Sequence, residues 1–278
     1  MTSSVSNEAH PAPVASPLGR GVRRSVRLFQ AFRLEQSDPD AFYGVQAADT
    51  MAQIARDISI PGSRVLDVGG GGGYFSQAFG DLGASAVLVE PEAGSSLPDE
   101  LLDNPETLST QQRHDRAVWP GRLMVGRTIA GDGNRLPFAD NTFDLAFSSN
   151  VLEHVPDPLS FIEESIRVTK PGGFVYISHT AWFSPWGGHE TSPWHYLGGR
   201  FAARRYERRN QRPPGNLFGT SLYRCDVGTV MKLVHRRADV VVVRAEPRYY
   251  PRWLRWIVRV PILRELATWN LAVTLRVL

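Results

Sequence analysis

The 278-residue sequence predicts an α/β fold: a doubly wound, mostly parallel sheet of seven strands with helices on both faces. Three observations carry this expectation. Short continuous apolar runs of the buried-strand type alternate with segments of helical periodicity. The first such run, Arg64-Val65-Leu66-Asp67-Val68, feeds five consecutive glycines, Gly69 to Gly73, and then a helical pattern. Near the carboxyl end Leu271, Val273, Leu275 and Val277 alternate with period two, which reads as a strand rather than a helix.

Taken in order, residues 1–24 are rich in Pro, Ala and Ser and read as a disordered tail, without the basic head and long apolar run of a signal peptide. Residues 25–278 read as one domain with insertions at 91–126 and 180–224, both too long for ordinary connections. Two helical stretches fall between Arg20 and Ser59. The second covers Ala47 to Ile58, with Met51, Ile54, Ala55 and Ile58 at helical spacing before Pro61-Gly62 stops it. After the glycines come a helix over Tyr74–Leu82, a strand over Ala86–Glu90 that ends in an acid, and a third strand over Arg127–Asp132. Phe143–Ser148 is the fourth strand, and a helix over Pro158–Thr169 is closed by Pro171-Gly172-Gly173. Phe174–His179 is the fifth, Asp226 can cap a helix over Val227–Arg237, and Val240–Val243 begins the sixth.

Composition excludes several classes. At 42% hydrophobic the chain is too apolar to be wholly disordered. The single cysteine, Cys225, cannot close an internal disulfide and offers no zinc-finger spacing, which fits a reducing cytoplasm. The most apolar stretch, Trp253 to Leu278, is broken by arginines and by Pro261, so no segment reads as a membrane span. Within the net charge of +3, residues 179–278 carry 17 basic and 6 acidic residues (+11), which leaves residues 1–178 at −8. The two parts therefore suit different partners.

The segment Asp67 to Gly73 places an acid at a strand end and glycines where the backbone turns sharply against a ligand. A dinucleotide fingerprint needs a further glycine where Tyr74, Phe75 or Ser76 stands, and a P-loop needs a lysine that this part of the chain lacks. Asp67, Gly69, Gly71 and Gly73 match Asp-x-Gly-x-Gly-x-Gly. Glu90, Gly131-Asp132-Gly133, Leu136-Pro137-Phe138, Phe143-Asp144, Asn150-Val151-Leu152-Glu153-His154-Val155 and Lys170-Pro171-Gly172-Gly173 follow. In this order the set resembles the class I S-adenosylmethionine-dependent methyltransferases over about Val65 to Ser178. The resemblance implies a Rossmann-like methyltransferase fold with the last strand antiparallel and S-adenosylmethionine as cofactor. It implies that Glu90 takes the ribose hydroxyls, that Asp132 with Gly133 meets the adenine, and that Gly69, Gly71 and Gly73 let the backbone approach. Asp67 helps hold the amino-acid end, and Asn150 supplies either backbone contacts there or a turn.

Methyl transfer to a hydroxyl needs alignment and a base, and the candidate bases are His154, His179, His189 and His195. The segment Gly187 to His195 lacks metalloprotease spacing, and no metal is expected. Trp182, Trp186, Trp194 and Tyr196 can stack on an acceptor, and the arginines from Arg200 to Arg212 suit an anionic one. In 252–260, Trp253, Trp256, Ile257 and Val260 repeat at helical spacing opposite Arg252, Arg255 and Arg259. Such a helix suits the inner face of a membrane, and equally suits packing on the sheet or on a second subunit. The expected activity is O-methylation of a small-molecule or lipid-linked acceptor, a cell-envelope glycan among the candidates. Nucleic acid is disfavoured, because Ser149-Asn150-Val151-Leu152 stands where amino-group methylases carry Asn/Asp-Pro-Pro-aromatic. Methylation of RNA or another nucleic acid and a cofactor-binding partner subunit without turnover are the alternatives.

Overall fold

The apolar run of the first motif forms β1 (Arg64–Val68), buried from its second residue onward. In the computed structural model, which describes residues 21–35, 37–91 and 127–278, it is an inner strand, third in a sheet of seven. The chain order is α1 (Gly21–Ala31), α2 (Pro39–Ile54), β1, α3 (Tyr74–Asp81), β2 (Ser85–Glu90), β3 (Arg127–Ala130) and β4 (Phe143–Ser149). It continues with α4 (Pro158–Arg167), β5 (Thr169–Thr180), α5 (Gly199–Asn210), α6 (Val227–Arg236), β6 (Val240–Pro247), α7 (Leu263–Ala267) and β7 (Asn270–Val277). Residues 92–126, nearly all of the first expected insertion, lie outside the described residues, as does the tail up to residue 20.

The strand order is β3-β2-β1-β4-β5-β7-β6. All neighbours pair parallel except β7, which runs antiparallel to β5 and to β6. The seven strands and the reversed last one match the sequence expectation. Side-chain alternation builds two cores from one sheet. Leu66, Val68, Ala146, Val175 and Ile177 face a layer that includes Ile162 of α4 and Val230 of α6. Val65, Leu145, Phe147 and Tyr176 face Met51 of α2 and Phe75 and Phe79 of α3. In β7 the alternating Leu271, Val273, Leu275 and Val277 all fall on the first face, with Ala272 on the second.

The order reverses between β1 and β4, which opens a crevice at their carboxyl ends. Thr180 pairs with Asn270 and Pro247 with Leu271, so β5 and β6 end where β7 begins. The segments 181–226 and 248–269 therefore both spring from the ligand end of the sheet.

Four sequence expectations are corrected. The tail boundary at residue 24 is too late: α1 begins at Gly21, and Arg24 is buried against α2, its Nε donating to Asp49 Oδ1 at 2.7 Å. The helix expected over Ala47–Ile58 starts earlier and stops sooner, because Pro39 occupies its first turn and the Asp38 carboxylate accepts from Ala41 N at 3.1 Å. The Lys170 to Gly173 turn belongs to β5, where Thr169 already pairs with Phe143. Lys170 Nζ donates to Asp144 Oδ1 at 2.7 Å while Arg64 N donates to Asp144 Oδ2 at 2.8 Å, so one carboxylate ties three strands. Finally, Asp226 precedes α6 but makes no capping bond and accepts instead from Arg224. The first amides of α6 are capped from a distance by Glu265, with Val227 N at 2.9 Å and Gly228 N at 2.7 Å.

Candidate active site

The turn after β1 is built on left-handed backbone at Gly69 (φ 76°), Gly71 (φ 53°) and Gly73 (φ 75°). Gly70 has no such need, yet a Cβ there would sit 2.4 Å from Asp67 Oδ2. That requirement is invisible in the motif, which leaves this position open. Asp67 lies beneath the loop, fully buried, its Oδ2 accepting from Ser76 Oγ at 2.8 Å. Its Oδ1 has no partner among the described residues. Burial first, and the nearby Glu90 charge second, push its pKa up to about 7 against the pull of the Ser76 bond. Glu90 closes β2 and accepts from the Gly71 amide, which puts its carboxylate at the lip of the glycine loop.

Asp132 is exposed just past β3 and accepts from Asn134 N at 2.8 Å, while Gly133 is buried where a Cβ would meet the Phe161 ring at 2.3 Å. Asn150 follows β4 at φ 59° and lines the cavity beside Gly69, Gly70 and Gly71. Its Oδ1 accepts from Asn270 Nδ2 at 2.7 Å.

Arg248, which the sequence reading did not single out, lines the same cavity from the end of β6. It is buried and donates at 2.8 Å to each of three neutral hydroxyls, those of Ser149, Ser178 and Thr50. No carboxylate among the described residues pairs with it. Burial opposes its charge, but the attraction of Tyr176, Tyr249, Asp49 and Glu153 outweighs burial and holds its pKa above the ordinary value. Arg248 also donates to Asn150 Oδ1 at 3.4 Å, and a buried cation whose partners are all neutral suits an anionic group in the cavity. Its partners lie 70 to 198 residues away in sequence, so no local pattern announces it.

The four candidate histidines separate into two brought together and two set apart. His154 Nδ1 lies 2.7 Å from the Ser221 carbonyl, and its ring meets His189 at 5.2 Å between centroids. Beside them lies Glu153, which the sequence reading quoted in the motif but assigned no role. Burial first, then His154, lowers the His189 pKa to about 4, so its ring is neutral. His179 shares the parity of Val175 and Ile177 and turns into the core instead of the crevice. It is 1% exposed, neither ring nitrogen has a hydrogen-bond partner among the described residues, and burial lowers its pKa to about 4. His195 is packed between Trp182 and Tyr196 with Nε2 3.2 Å from the Ser184 carbonyl, where it pins the insertion.

A family model described as a methyltransferase domain matches residues 66–177, the span of these motifs. An uncharacterized methyltransferase of Mycobacteroides abscessus is 41% identical over 92% of this chain and 94% of its own length. The chain belongs to the class I S-adenosylmethionine-dependent methyltransferases. Uncharacterized methyltransferases of Mycolicibacterium gilvum and Mycobacterium tuberculosis are 41% and 42% identical, each over 91% of this chain and 94% of their own. Among solved structures, an S-adenosylmethionine-dependent methyltransferase of Mesorhizobium loti aligns with 81% of this chain and 95% of its own at 19% identity and a TM-score of 0.49.

The methyltransferase's glycine loop fits its cofactor. The loop presents backbone where side chains would intrude, Glu90 stands at the lip, and the unpartnered Asp67 Oδ1 lies beneath. An acidic cradle without a lysine suits a ligand that carries ammonium and sulfonium charges and no phosphate.

Proposed function

We propose that this methyltransferase O-methylates a small or lipid-linked hydroxyl acceptor drawn from an anionic membrane surface. The observation that carries the reading is the makeup of the two segments at the ligand end of the sheet. In 248–269, a 3₁₀ helix (Arg252–Arg259) buries Ile257 and Val258, correcting the expected face, and leaves Trp253 (67%), Trp256 and Val260 exposed. Ile262 (75%) and Leu266 continue the apolar surface, and Arg252, Arg255 and Arg259 are exposed beside it. The other segment, 181–226, exposes Trp194, Tyr196, Leu197 (66%) and Phe201, with Arg205 stacked 3.9 Å over the Trp194 ring. Exposed tryptophans and arginines on two segments that leave the same end of the sheet match an interface of acyl chains and anionic headgroups. No helix among the described residues is long and apolar enough to cross a membrane.

When bound, S-adenosylmethionine supplies a methyl group on positively charged sulfur. The chain's own work is to hold that group and to bring an oxygen to it stripped of its proton. Glu90, Asp67 and the Gly69–Gly73 backbone are assigned to the first task. The Glu153, His154 and His189 cluster is assigned to the second, because it lies past β4 next to Asn150 and faces residues of the insertion.

Vesicle flotation tests the membrane reading. The protein should float with phosphatidylglycerol vesicles and not with phosphatidylcholine, and salt should release it. Changing Arg252, Arg255 and Arg259 to Gln should cost about 3 kcal/mol, roughly a hundredfold in partitioning, at about 1 kcal/mol per arginine. Equal flotation by the triple variant contradicts the reading.

A further inference from the structure

One ligand atom each from Glu153, His154 and His189 lie within 4.8 Å of one another where the turn after β4 meets the insertion. Glu153 is 1% exposed, and its Oε1 accepts from Thr180 N at 2.9 Å. Its Oε2 is buried with no partner among the described residues, and so is His189 Nδ1. These two atoms do not bond to each other. A buried carboxylate oxygen and a buried ring nitrogen in one cluster, each without a hydrogen-bond partner among the described residues, are penalised by burial unless something electropositive satisfies them.

His154 is held as a ligand would be. The Ser221 carbonyl can only accept, so His154 Nδ1 carries the hydrogen at 2.7 Å and Nε2 is left with a lone pair. The outer support comes from the insertion on both sides. Tyr223 N donates to the Glu153 carbonyl at 2.7 Å, and His189 is carried at φ 48° in a turn whose Gly188 admits no Cβ beside His195. The cluster is coupled to the cavity wall, since Asn270 Nδ2 bonds Asn150 Oδ1 at 2.7 Å and reaches Thr180 Oγ1 at 3.5 Å.

We infer that this cluster binds one divalent transition-metal ion through Glu153, His154 and His189. Two imidazoles and one carboxylate suit zinc, manganese, iron or cobalt, whereas magnesium prefers oxygen donors and water. Three protein ligands leave coordination positions open, the arrangement of a working site rather than a closed structural one. The ion's role rests on the proposed function: it holds the acceptor oxygen and lowers its pKa, so the hydroxyl proton goes to solvent before transfer.

Cobalt(II) added to the chelator-stripped full chain gives a readout independent of activity. It should bind at one ion per chain with a visible ligand-field spectrum, and calorimetry should show zinc(II) binding and no magnesium binding at the same site. E153Q and H189N should each weaken cobalt more than about a hundredfold, beyond the 10–100-fold typical of outer-shell changes. Their affinity for S-adenosylmethionine should be unchanged. If E153Q fails to fold, H189N decides, since asparagine tolerates the left-handed backbone there. Absence of cobalt binding, or an unaltered spectrum and affinity in folded variants, overturns the inference. Stripped protein that still methylates a lipid acceptor overturns the metal and leaves the proposed function standing. A metal bound one per chain with no transfer to any hydroxyl does the reverse.

Discussion

Replacing Glu90 by alanine should weaken S-adenosylmethionine by about 1–3 kcal/mol in calorimetry, the cost of losing charge-assisted bonds to two hydroxyls. An unchanged dissociation constant in a folded variant would remove Glu90 from the cofactor site. Asp67 acts on stability as well. Its pKa is about 7 in the folded chain against 3.8 as a free side chain. The folded state therefore keeps the proton over a window where the unfolded state has lost it, and stability falls as pH rises from about 4 to about 7. The full shift is worth roughly 4 kcal/mol. Asp67→Asn has no such charge to bury, so its melting temperature should rise relative to wild type across that window and stay level above it. Parallel curves for the two proteins would contradict this. At this scale the glycine loop was legible because Asp67 to Gly73 follow one another through one strand–turn–helix. Glu153 and Arg248 were not, since what they touch comes from elsewhere in the sequence, and Gly70 was not, since only the fold turns the Asp67 carboxylate under it. His179 shows the limit of position alone: it stands one residue before the end of β5 at the ligand end of the sheet, yet strand parity sends its ring inward.

Among the elements, α6 gives the sharpest test of packing against local pattern. Asp226 stands at the capping position, but the Glu265 carboxylate from α7 takes the Val227 and Gly228 amides. Glu265→Ala should cost about 1–2 kcal/mol in denaturant unfolding, and Asp226→Ala should cost less. The opposite order would restore the local cap. The β7 strand was readable because its alternation is complete and one of its faces is fully covered. The first helix has no bounds in the sequence reading, which carries the tail to residue 24, because the placement of α1 depends on Arg24 reaching Asp49, 25 residues on. The insertion was recognisable by length and content, whereas its fold against the Leu152–His154 turn comes from bonds such as Ser221 to His154, 67 residues apart.

For the whole molecule, the charge division read from the sequence acquires a location. The acidic part carries the glycine loop and Glu90, and the basic part supplies both segments that rise from the ligand end of the sheet. The strand order decides this, by bringing β5, β6 and β7 to one side of the sheet with their connections at its ligand end and Arg248 at the cavity. Composition could show that the charge is divided along the chain, but only the topology brings the basic segments to the same end of the sheet as the glycine loop. The most direct measurement is transfer of labelled methyl from S-adenosylmethionine by the full chain to separated lipid, glycan, RNA and small-metabolite fractions. Label should enter the lipid fraction, resist removal from oxygen by mild base as an ether does, and fall when Arg252, Arg255 and Arg259 are changed to Gln. Label confined to RNA, or none in any fraction from a protein that binds the cofactor, would contradict an enzyme that serves the membrane surface.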